Sequence, residues 1–395
     1  MKKGIKRFLG YRFWFVAAVL AGIAFVIPAA WAEDGVTDSE VVIGQCAALE
    51  GPAAGLGTGM NVGMKACLDE VNAKGGINGR KIKFIASNDG YEPDKTVDCT
   101  LNMIENEKVF ALAGYVGTPT GKAALPIVQE MKVPLVGLFT GAGLLRNPVS
   151  RYIINIRASY DDETEALVER ITSDLGIKDI AVFYQDDAFG LAGLSGTEKA
   201  LKKRGLKLAG TGTFARNTEA VKGGLASIMA AKPGAVVMVG PYKPIAAFVK
   251  EAKTAGFNPV LATISFVGTE NLIKESGDAA NGIIISQVVP SPDDTSVPVV
   301  RDFQAALKKS FPNEAPSYVR LEGYVTARVL TTALEKAGAV LTREGLIDTI
   351  ESMSNTDIGG LSVSFSKDNH QGLNKVYMTQ VGGGKAKPVA KVAKP

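Results

Sequence analysis

Apolar positions along this chain follow two alternating patterns. Short runs such as Val41-Val42-Ile43 are followed by stretches in which apolar residues recur at helical spacing. Met60, Met64, Cys67, Leu68 and Val71 form one such stretch. Gly75-Gly76 stops it, Asn78-Gly79 turns the chain, and Ile82–Ile85 opens the next run. This is a strand–helix–strand unit of a parallel sheet. The same reading predicts strands at Val41–Gly44, Lys81–Ser87, Phe110–Gly114, Leu135–Leu138 and Tyr152–Asn155. Helices fall between them near Gly57–Asn72, Asp94–Asn106 and Gly121–Met131.

A second series begins after Arg157. Its helices are Asp162–Leu175, Gly190–Arg204, Thr218–Ala231, Pro244–Ala255 and Thr269–Ser276. Its strands are Ile180–Tyr184, Lys207–Phe214, Ala235–Val239, Val260–Thr263 and Gly282–Val288. Two series of similar size predict an α/β fold of two Rossmann-like, doubly wound lobes. Helices Pro298–Ser310, Tyr318–Ala337 and Thr342–Ser352 follow, then strands Leu361–Phe365 and Lys375–Val381. These do not make a third domain, and no short-period repeat is present.

The first 32 residues stand outside this pattern. Lys2, Lys3, Lys6, Arg7 and Arg12 precede an apolar run from Phe13 to Ile27. Pro28 breaks the run, and Ala30-Trp31-Ala32 offers small residues at both required positions. The segment predicts a secretory signal cleaved after Ala32, with an uncleaved membrane anchor as the alternative. No cysteine sits at the cleavage point, so lipid anchoring is not indicated. Removal takes five positive charges, and the formal net charge of +4 becomes about −1. The basic pI therefore says nothing about nucleic acid, and no basic, aromatic-studded stretch suggests RNA or DNA. The 363 residues left (395 less 32) are too many for one ordinary core and suggest two domains. Residues 383–395 read as a flexible, solvated tail.

Three cysteines leave at least one unpaired. Cys67 and Cys99 fall on helices expected on opposite faces of a doubly wound sheet, which disfavours their pairing. Cys46 remains available as a partner in an exported protein.

Motifs for catalysis are missing. The single histidine, His370, lies in the turn-rich phrase SKDNHQG, where an exposed position without a second ligand is expected. Gly193-Leu194-Ser195-Gly196 fails as a nucleophile elbow. Gly117-Thr118-Pro119-Thr120-Gly121-Lys122 lacks the first glycine of a phosphate loop and the hydroxyl after its lysine. Gly55-x-Gly57-x-Gly59 is off-pattern for dinucleotides. No enzyme activity, cofactor or metal is predicted.

The phrases GPAAGLGTGMNVGMKA, EVNAKGGINGRKI and NDGYEPDK resemble the type I periplasmic substrate-binding proteins of ABC importers, in particular the leucine/isoleucine/valine-binding group. The resemblance continues through AGYVGTPTGKAALP, VPLVGLFTGA, NIRASYDDE, YQDDAFG, SFVGTENL, SQVVP and LEGY, and covers nearly all of the chain after residue 38. It implies three crossings between lobes, near Arg157, Val289 and Gly360. Lobe 1 is then 38–156 with 290–359, and lobe 2 is 157–289 with 360–382. It also implies a monomer in the periplasm that closes over a small molecule and presents it to a membrane permease. A sensor subunit on the same lobes, or an exported enzyme, are the rival readings.

The resemblance carries over to particular residues. Thr118 matches a hydroxyl that holds the ligand carboxylate, and could equally be a helix cap. Thr140 and Ala142 match positions contacting the ligand head, with Ala142 replacing a threonine. Phe189, Tyr242 and Ser265 match ligand-facing positions on lobe 2, and Tyr318 matches an aromatic wall. The aromatics could instead be core. Arg157 reads either as a buried ion pair or as a ligand contact. Leucine-type members place an acidic residue where Ser265 stands, to pair the ligand ammonium. A hydroxyl cannot neutralise a buried cation. The expected ligand is therefore a small carboxylate, aromatic or a keto acid, over a branched-chain amino acid. The opposite case is that Glu270, five residues on, supplies the missing charge.

Overall fold

The computed structural model describes residues 33–394. The predicted signal segment lies outside the described residues.

The first half builds a five-stranded sheet from β1 (Glu40–Ala47), α1 (Ala54–Ala73), β2 (Lys81–Asn88), α2 (Pro93–Glu105), β3 (Ala111–Ala113), α3 (Thr118–Glu130), β4 (Leu135–Val136) and β5 (Ile153–Ile154). Its order is β2-β1-β3-β4-β5, all parallel. The order reverses between β1 and β3, which opens a crevice at the C-terminal ends of those strands.

The second half runs α4 (Tyr160–Ser173), β6 (Ile180–Gln185), α5 (Ala188–Lys203), β7 (Thr211–Phe214), α6 (Lys222–Ala231), β8 (Ala235–Val239), α7 (Tyr242–Thr254), β9 (Val260–Thr263), α8 (Thr269–Ser276) and β10 (Ile284–Gln287). α4 opens on a capping box, in which Ser159 and Asp162 satisfy each other's backbone N–H groups. The chain continues through α9 (Pro298–Ser310), α10 (Tyr318–Ala337), α11 (Arg343–Ser352), β11 (Thr356–Asp357), β12 (Ser362–Val363), β13 (Tyr377–Gly382) and β14 (Lys385–Pro388). The second sheet has the order β14-β13-β10-β9-β8-β6-β7, with β13 and β14 antiparallel additions.

Helices α9–α11 return to the first lobe, where Phe303, Leu321, Tyr324 and Leu346 share a core with Val41, Ile43 and Met64. The glycines of the first motif serve this packing. A Cβ on Gly63 would come within 1.9 Å of the Arg320 carbonyl oxygen of α10, so only glycine permits that approach. Gly59 faces Val319 of the same helix, so both are helix-contact residues.

Three expectations need correction. The third crossing falls after Leu373, not near Gly360. Thr356–Val363 forms its own small ribbon, and 370–373 run beside Asn155 and Ile156, as in Gly372 N donating to Asn155 O at 2.9 Å. The tail expected to be mobile supplies the edge strand β14. His370 is buried, its Nδ1 lying 2.9 Å from the Ile153 carbonyl and its Nε2 3.1 Å from Glu351. It ties the crossing segment to α11, a contact invisible in local turn chemistry. The cysteine pairing, left open by the sequence, is Cys46 with Cys99, across the face that β1 and α2 share. Cys67 stays free on the other face, and burial pushes its thiol up to about 12.

Candidate functional site

The two lobes face each other across the C-terminal ends of their parallel strands. On the first lobe, β3 leads through Gly117 into α3. Gly117 has φ +108°, and a Cβ there would sit 2.2 Å from the Tyr91 ring. No side chain caps α3. Thr118 instead turns its hydroxyl to Thr140, at 2.6 Å, and Thr140 Oγ1 accepts from Ala142 N at 3.3 Å. Thr118, Thr140 and Ala142 are thus brought together, fully buried, beside the free N–H groups of the α3 N-terminus.

Arg146 braces this loop from behind, a residue the sequence reading missed. Its Nη2 donates to the Thr140 and Arg157 carbonyls, at 3.1 and 3.2 Å, and its Nη1 to Ala142 O at 3.1 Å. Burial, then the neighbouring Arg157, lowers its pKa to about 10, so it remains a cation at neutral pH.

Arg157 resolves as an ion pair. Nη2 meets Glu163 at 2.8 Å and also donates to Ser265 Oγ, while Nη1 meets Glu322 at 3.2 Å. Its guanidinium lies over the rings of Phe139 and Tyr160, 5.1 and 5.7 Å from their centroids. Burial works against the charge, but Glu322 and Glu163 outweigh it and hold Arg157 above its ordinary pKa. Glu322 goes the other way: burial raises it to about 7, against the pull of Arg157.

Ser265 sits where the resemblance places an acid, and an acid is indeed beside it. Glu163 Oε2 accepts from Ser265 N at 2.8 Å and Ser286 Oγ at 2.7 Å. Its Oε1 accepts from Arg157 Nη2 at 2.8 Å and Ser265 Oγ at 3.1 Å. A carboxylate offers about four acceptor sites. Those of Glu163 are all taken. Glu163 lies 102 residues before Ser265, among helix-opening acids, and no local signal singles it out.

Phe189 joins an aromatic cluster with Tyr160 and Phe266, at 5.5 and 4.4 Å between centroids. Phe266, another residue missed, also reaches Phe139 and Tyr91 of the opposite lobe. Tyr242 lies in the first turn of α7, not in a loop, and its hydroxyl accepts from Gly55 N across the cleft at 3.1 Å. Tyr318 is not brought to this cluster. It packs in the first-lobe core, and its N–H donates to Glu270 at 3.1 Å beside a cavity of about 480 Å³. Glu270 is therefore turned away from Ser265, and burial raises it to about 7.

At the rim, Arg216 reaches Glu92 at 2.8 Å and Asp187 at 3.3 Å, and Asn217 Nδ2 reaches Glu92 at 2.6 Å. Glu92 belongs to the first lobe, the others to the second, so the lobes are latched in contact. Among the described residues no cluster has a metal-binding donor set.

A family model described as periplasmic binding protein matches residues 40–386. The chain belongs to the periplasmic binding protein family. This binding protein is similar in structure to a possible leucine/isoleucine/valine-binding protein from Rhodopirellula baltica SH 1. The TM-score is 0.86 at 36% identity, covering 91% of this chain and 98% of that one. A substrate-binding periplasmic protein from Ralstonia solanacearum gives 0.84 at 29% identity, covering 89% and 100%. Leu/Ile/Val-binding protein homolog 7 of Brucella suis biovar 1 is 23% identical over 335 residues, 81% of this chain and 80% of the relative. Periplasmic binding proteins of this family bind small molecules without turning them over, and typically work with ABC transporter permeases.

Proposed function

We propose that this periplasmic binding protein captures a small carboxylate that lacks an ammonium group and delivers it to an ABC permease. The observation that carries this reading is the four-donor shell around Glu163. An incoming ammonium would have to displace Arg157 or a serine, leaving one of them unpaired in a buried site. The Thr118 and Thr140 hydroxyls with the α3 N–H groups suit a carboxylate. Ala142 and Ser265 flank that head, Phe189 and Tyr242 wall it, and Tyr318 acts behind the cleft by tying the lobes through Glu270. The Cys46–Cys99 bridge suits export. The lobe boundaries we propose are Arg157, Val289 and the segment after Leu373.

The names of the relatives favour a second reading, a branched-chain amino acid binder. Native mass spectrometry of protein from a periplasmic extract separates the two. We expect a chain starting at Glu33 that retains an acid without a primary amine. Retained leucine, isoleucine or valine overturns the carboxylate reading. Thr118→Ala should weaken binding of the retained acid by about 1–3 kcal/mol, and an unchanged Kd removes Thr118 from the site.

A further inference from the structure

We propose that Tyr91, Phe139, Phe189 and Phe266 form a ring-selective element, that the ligand is an aromatic carboxylate, and that Phe266 is the specificity-determining residue. This rests on the carboxylate reading above and narrows it.

Phe266 is the centre of the cluster. Its ring lies 4.4 Å from Phe189, 5.2 Å from Phe139 and 6.1 Å from Tyr91, with interplanar angles of 47°, 36° and 40°. Tyr91 and Phe139 belong to the first lobe, Phe189 and Phe266 to the second. The cleft therefore divides the cluster, and opening it bares ring faces on both sides.

Two local features hold Tyr91 in place at a conformational cost. Its backbone takes φ +63°, which a bulky residue disfavours. Its ring also occupies the space a Cβ on Gly117 would need. Strain of this kind persists where the surroundings over-determine a side chain. Its hydroxyl accepts from Gln185 Nε2 of the second lobe at 3.1 Å.

The polar and aromatic parts are contiguous. Thr140 follows Phe139 directly, and Thr118 follows the glycine against which Tyr91 packs. In this reading the carboxylate sits at the two threonines and the ligand ring at the aromatic cluster beside them. A flat ring stacked on both faces needs two contacts of about 3.5 Å, or about 7 Å. In the closed state the two rings touch directly, tilted at 40° with centroids 6.1 Å apart, so the lobes must part to admit it. A puckered saturated ring is thicker and has no quadrupole to match tilted neighbours.

Benzoate and cyclohexanecarboxylate test this, because they share a carboxylate and a carbon count. Calorimetric titration of the intact protein should show benzoate binding about tenfold tighter. Phe266→Leu should cut that preference about three- to tenfold with little change for cyclohexanecarboxylate, and Phe266→Tyr should restore it. Equal affinities in the unmodified protein overturn the proposal without needing any variant. A preference that survives Phe266→Leu, in protein with an unchanged melting curve, also overturns it. Binding of leucine with neither acid bound instead overturns the carboxylate reading, and this proposal with it.

Discussion

Arg157 Nη2 lies 2.8 Å from Glu163 Oε1, with the two side chains 2% and 0% exposed. One residue stands at the first crossing and the other on α4 of the second lobe. Through Nη1 the same guanidinium reaches Glu322 on α10, packed in the first lobe. One cation therefore holds a carboxylate from each half of the molecule.

Arg157→Met should cost about 3–5 kcal/mol, because it leaves two buried carboxylates without their cation. Urea unfolding with an unchanged m-value measures it. A loss below about 1 kcal/mol would mean that the pair is solvated in solution.

The carboxyl of Glu322, raised to about 7 by burial, makes stability depend on pH. Between its ordinary value near 4.5 and about 7, the folded state keeps a proton that the unfolded state has lost. Stability contributed by this group is therefore full below about 4.5, falls as pH rises, and is flat above about 7. Glu270 has the same sign. Glu322→Gln should flatten the fall by one proton's worth, about 1.4 kcal/mol per pH unit at most. Unfolding curves at matched ionic strength across this range provide the check, and an unchanged slope in the variant counts against the assignment.

The latch at the rim should act on dissociation. Arg216 and Glu92 are 25% and 37% exposed, so their contact is worth only about 0.2–1 kcal/mol and is screened by salt. Arg216→Ala should speed ligand release a few-fold at low salt, with the difference vanishing at high salt. Arg216→Lys, which keeps the charge between Glu92 and Asp187, should recover part of the loss. Surface plasmon resonance would read both. Identical release rates at every salt concentration would remove the latch from the closed state.

The alternation of apolar runs and helical spacing made both lobes legible, because each strand and helix reports its own burial. Thr118 and Thr140 were legible only through the family resemblance, and their hydroxyls lie 2.6 Å apart. Glu163 and Phe266 were not. The acid looks like an ordinary charge in a helix-opening turn, and the ring like one more apolar residue in SFVG. Their roles come from pairing across the cleft, with Ser265 102 residues away and with Phe139 on the other lobe. His370 failed as an exposed turn residue because its partners, Ile153 and Glu351, come from distant segments. Tyr318 kept its burial but faced a different cavity, since spacing fixes a helix start and not the direction of its side chain.

Leucine and its keto acid, 4-methyl-2-oxopentanoate, share one carbon skeleton and one carboxylate and differ at the group that would meet Glu163. Calorimetric titration of the purified protein with both is the most direct test of the saturated carboxylate. The keto acid should bind and leucine should bind at least about a hundredfold more weakly, the cost of a buried ammonium left without a partner. Tight binding of leucine with no response to the keto acid would contradict the account.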